Sequence, residues 1–63
     1  MGTKKSFTDI FNEAYNIFTD WNRTEGAQYN DMQRFLMNQV KEGNISALDK
    51  CYIARDVMQT ACL

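Results

Sequence analysis

Between Ser6 and Arg23 the apolar side chains Phe7, Ile10, Phe11, Ala14, Tyr15, Ile17, Phe18 and Trp21 recur at intervals that gather them on one broad arc of a helix. Thr8, Asp9, Asn12, Glu13, Asn16, Thr19 and Asp20 fill the opposite arc. Ser6-x-x-Asp9 resembles a capping box with Asp standing in for the usual Glu, so a helix is predicted over residues 7–22, broken by "RTEGA". A narrower stripe of Tyr29, Met32, Phe35, Leu36 and Val40, with Met37 on its margin and Lys41 near the carbonyl-rich end, predicts a second helix over 28–42. Gly43 suits the left-handed position after it, and Ser46-x-x-Asp49 reads as the cap of a third helix over 46–62. There Ala47, Leu48, Cys51, Ala54, Val57, Met58, Ala61 and Cys62 share a face, with Ile53 on its flank. Small side chains admit a close neighbour, so the third helix is expected at the centre with the aromatics of the first laid across it.

These elements describe one all-α domain of three helices, with residues 1–5 as a flexible N-terminal arm. The chain has 63 residues, and domains of that size bury only about 60% of their unfolded surface. With no histidine and two cysteines, neither a structural zinc site nor a disulfide scaffold is available to stabilise it. Association is the remaining route to burial. Helix one has more large apolar side chains than two short helices can cover, and Phe7, Phe11, Ala14, Phe18 and Trp21 alternate in spacing like a coiled-coil seam. A homodimer or a partner interface is therefore expected, anchored by Phe11, Tyr15, Phe18 and Trp21, with Tyr29 and Arg34 at its rim.

Composition narrows the chemistry. A net charge of −1 and a pI near 5.1 oppose a diffuse nucleic-acid-binding surface. No apolar run reaches membrane-span length and no signal peptide is visible, so the expected location is cytoplasmic, which also deprives the sequons at Asn22 and Asn44 of meaning. The stretch from Gly2 to Ser6 matches the N-myristoylation pattern, with Lys4 and Lys5 able to face an anionic membrane; a membrane-associated peptide is the reading this would support. Ser6 is better used as a helix cap.

Asp20, Asn22, Thr24 and Asp31 imitate the ligand spacing of a calcium loop, but Glu25 stands where glycine is needed and Asp31 where a bidentate glutamate belongs. A helix-turn-helix drawn from Met37 to Val57 puts Gln39 where a small apolar residue should pack and leaves only Lys50 and Arg55 for DNA. Cys51 and Cys62 lie about 16 Å apart along one helix, too far to bridge, and read as small core residues. With no histidine, phosphate loop or buried carboxylate pair, neither an enzyme nor a cofactor-binding protein is expected. The expected function is a small protein–protein interaction module, an accessory or regulatory protein of the phage or mobile-element kind, with a nucleic-acid-associated regulator using a degenerate helix-turn-helix, or an N-terminally lipidated membrane-associated peptide, as the alternatives.

Overall fold

The computed structural model describes residues 5–24 and 26–61. Three helices, α1 (Phe7–Phe18), α2 (Ala27–Lys41) and α3 (Ala47–Ala61), each pack against the other two, and no strand occurs among the described residues. The core is built from Ile10 and Ala14 of α1, Met32 and Leu36 of α2, and Ile53, Ala54 and Val57 of α3, closed at one end by Ile45. Full burial of a side chain such as Leu36 contributes roughly 1.5–3 kcal/mol. Phe11, Tyr15, Ile17, Phe18, Phe35, Val40 and Met58 pack around this centre, half-buried.

Both anticipated N-caps form. The Ser6 Oγ accepts the Asp9 N–H at 3.1 Å, and the Ser46 Oγ accepts the Asp49 N–H at 3.0 Å. The second is reciprocal, since the Asp49 carboxylate accepts the Ser46 N–H. At the end of α2, Gly43 has φ +80°, its N–H reaches the Val40 carbonyl, and the Asn44 N–H reaches the Gln39 carbonyl at 3.0 Å. This is a Schellman closure.

The first helix is shorter than the sequence pattern predicts: it ends at Phe18 instead of Asn22. Asp20 ends it, because its carboxylate offers the Asn22 N–H a partner in place of the Phe18 carbonyl. The Thr19 hydroxyl donates to the Tyr15 carbonyl at 2.7 Å, and the Asp20 carboxylate accepts the Asn22 N–H at 3.1 Å. The Asp20 carbonyl then takes the Arg23 N–H, forming a turn with Trp21 at its tip.

The third helix is also rotated from its expected setting. Ile53, placed on the flank by the sequence, is fully buried, whereas Ala47, Leu48 and Cys51 are exposed. The inward line runs through Ile53, Ala54 and Val57, since Ile53 and Val57 carry more apolar bulk into the core than Ala47 and Cys51. The expectation that Cys51 is a core residue is thereby corrected. Cys62 lies outside the described residues, as do Gly2, Thr3 and Lys4 of the acylation pattern. Lys5, assigned to the arm, bonds Glu13 at 2.7 Å and stands 5.3 Å from the Phe35 ring centroid.

Candidate functional site

The six residues singled out from the sequence divide into two groups. Phe11, Tyr15 and Phe18 are half-buried and pack against the core of their own chain. Trp21, Tyr29 and Arg34 are exposed. Trp21 and the α1 aromatics do not form one continuous helical stripe, because the chain leaves the helix at Thr19. On α2, Tyr29 and Arg34 are five residues apart and point about 140° away from each other.

Trp21 is 76% exposed, although the turn beneath it is heavily bonded. Arg23 pairs with Asp20 at 3.1 Å and with Asp31 of α2, and the Gln28 amide donates to the Asp20 carbonyl at 3.0 Å. The indole is thus displayed on a turn fixed to α2, an arrangement that spares part of the ordering cost of binding. The same contacts occupy the pseudo-calcium loop: Asp20 and Asp31 are drawn to one guanidinium. Among the described residues no group of three or more His, Cys, Asp or Glu side chains converges as metal ligands would.

A second exposed apolar surface lies on α3 and was missed in reading the sequence. Leu48 is 62% exposed and Tyr52 53% exposed, with Cys51 between them. Their i, i+3, i+4 spacing is a helical face in its own right, facing away from Ile53 and Val57. The signal was present in the sequence: α3 is apolar on nearly every side, so burying Ile53 obliges other apolar residues to face water.

The residues that could have served a helix-turn-helix are held otherwise. Gln39 is buried and its Oε1 accepts the Asn44 side-chain amide at 2.7 Å. Lys50 is half-buried and donates to Gln33 at 2.9 Å, while Arg55 is exposed. No pocket opens among the described residues, and none of their helices is long and apolar enough to cross a membrane. Comparison of the chain with protein-family models, with curated proteins and with solved structures finds no match.

Proposed function

We propose that this chain is a small non-enzymatic protein–protein interaction module, acting in the cytoplasm as an accessory or regulatory protein of the phage or mobile-element kind. It works by binding a larger protein or by self-association. The observation that carries the reading is that the helical core closes while Trp21, Leu48 and Tyr52 remain outside it. Tryptophan and tyrosine are the residues that most often dominate interface energies, and a bonded turn and a helix present them in fixed positions.

The helix-one interface anticipated from the sequence narrows accordingly. Phe11, Tyr15 and Phe18 support the fold, and Trp21 supplies the contact, with Tyr29 and Arg34 as flanking groups. Sedimentation equilibrium of the chain over a wide concentration range tests self-association directly. A concentration-dependent dimer that Trp21→Ala or Leu48→Asp disperses supports that mode. A monomer that forms a stoichiometric complex with one host protein, lost in either variant, supports the partner mode. A monomer that forms no such complex overturns the proposal.

A further inference from the structure

Beyond that reading, and resting on it, we infer that the groove between the outer flanks of α2 and α3 docks an acidic amphipathic helix of a partner protein. The Lys50–Gln33 hydrogen bond fixes which flank of α2 turns toward α3. At about 100° per residue, Met37 lies some 40° outward of Gln33 on that flank. The short link between α2 and α3, which pack on each other, makes them antiparallel neighbours that turn corresponding flanks to each other, so the facing side of α3 runs from buried Ala54 out to Ala47 and Cys51. Met37 at 44% exposure, Ala47 and Cys51 form an apolar floor, and Leu48 continues it outward. Small side chains on the α3 edge allow a visiting helix to approach closely.

The rim determines the occupant's chemistry. Arg34 and Lys41 lie within about 60° of Met37 on α2, and Arg55 lies one turn beyond Cys51 on α3. All three are exposed. Among the described residues the ion pairs are those of Lys5 and Arg23, and none of them involves Arg34, Lys41 or Arg55. Four acids are engaged elsewhere, Glu13 with Lys5, Asp20 and Asp31 with Arg23, and Asp49 in the α3 cap, and Glu42, next to Lys41, accepts from the Asn44 amide. Asp49 and Asp56 lie on the opposite flank of α3, away from the groove. Among the described residues, three exposed cations outside any ion pair thus lie beside an exposed apolar floor.

An acidic amphipathic helix complements both features at once, its apolar stripe covering Met37 and Cys51 and its flanking carboxylates meeting Arg34, Lys41 and Arg55. A nucleic-acid backbone matches the rim but has nothing to cover the floor, and the net negative charge of the whole chain opposes a polyanion.

The test is fluorescence anisotropy with the full chain and two labelled synthetic peptides of about 18 residues, long enough to span the groove. Both carry leucine at helical spacing; one has glutamate on its flanks, the other lysine. The glutamate peptide is expected to bind about tenfold or more tightly than its lysine counterpart. Arg34→Glu with Lys41→Glu is expected to invert that preference, and Met37→Asp to weaken both, with circular dichroism confirming retained helicity. Equal binding of the two peptides, or a preference that survives the charge reversal, overturns the inference. If the glutamate peptide binds the Met37→Asp chain undiminished but loses affinity to Trp21→Ala, the groove is refuted while the interaction-module reading stands. A short DNA duplex that outcompetes the peptide, with affinity falling steeply in salt, also overturns the inference. If neither peptide binds, the groove is refuted, and sedimentation of the unmodified chain decides the broader reading separately.

Discussion

The buried side chain of Gln39 is satisfied by Asn44, whose amide donates to its Oε1 at 2.7 Å while the Asn44 backbone N–H donates to the Gln39 carbonyl. In a Schellman closure these two positions ordinarily carry an apolar contact. Here the contact is replaced by a hydrogen bond that ties the end of α2 to the link before α3.

Removing Asn44 therefore leaves a buried acceptor unpaired. Asn44→Ala is expected to lower unfolding free energy by about 1–3 kcal/mol in urea titration. The double replacement Gln39→Leu with Asn44→Leu restores the usual apolar contact and is expected to recover most of that loss. A double variant as weak as the single one would falsify the account.

Trp21 and Leu36 are both large apolar residues, but only one belongs to the core. Leu36→Ala is expected to cost about 2–5 kcal/mol. Trp21→Ala should stay within about 0.5 kcal/mol of the parent in thermal melts and retain its helical circular dichroism. A large loss on truncating Trp21 would mean that the indole is buried after all.

Arg23 gathers Asp20 and Asp31, and all three side chains are about one-third exposed. Arg23→Ala is expected to change global stability by less than about 1 kcal/mol, because solvent screens such pairs. Its effect should appear in the turn instead, as a fall in the steady-state fluorescence anisotropy of Trp21. Unchanged anisotropy would show that the backbone bonds of the turn suffice without the guanidinium.

The thiol of Cys51 faces solvent on α3. In native buffer an aromatic disulfide reagent is expected to modify it without denaturant, and Cys51→Ser is expected to be neutral in stability within about 0.5 kcal/mol. Protection of Cys51 in the absence of denaturant would point to a cover that the single chain does not provide.

Much of the architecture was legible because its signals are local. Ser6, Gly43 and Ser46 each announce a helix terminus by their own chemistry, and each cap forms where expected. The end of α1 was less legible because Phe18 and Trp21 keep the helical period across Thr19 and Asp20; periodicity alone does not weigh the side-chain bond that stops the helix. The face of α3 was misjudged for a different reason. Apolar residues surround that helix, so only the packing of α1 and α2 selects Ile53 over Leu48. Ile45 escaped notice because it lies in a link, outside any helical stripe. Of the candidate site, Trp21, Tyr29 and Arg34 proved accessible, but Leu48 and Tyr52 became visible only once the inward line of α3 was known.

Among the described residues, the two glycines with positive φ, Gly26 at +88° and Gly43 at +80°, give the bundle's connections a handedness opposite to that of its helices. L-residues enter this region at a cost of roughly 1–2 kcal/mol, whereas their mirror images adopt it naturally. D-alanine at either position would therefore hold in the free chain the same bend the fold requires, restricting the unfolded ensemble while keeping the native turn. Both connections are thus points where chirality, independently of side-chain chemistry, governs how readily three short helices come together.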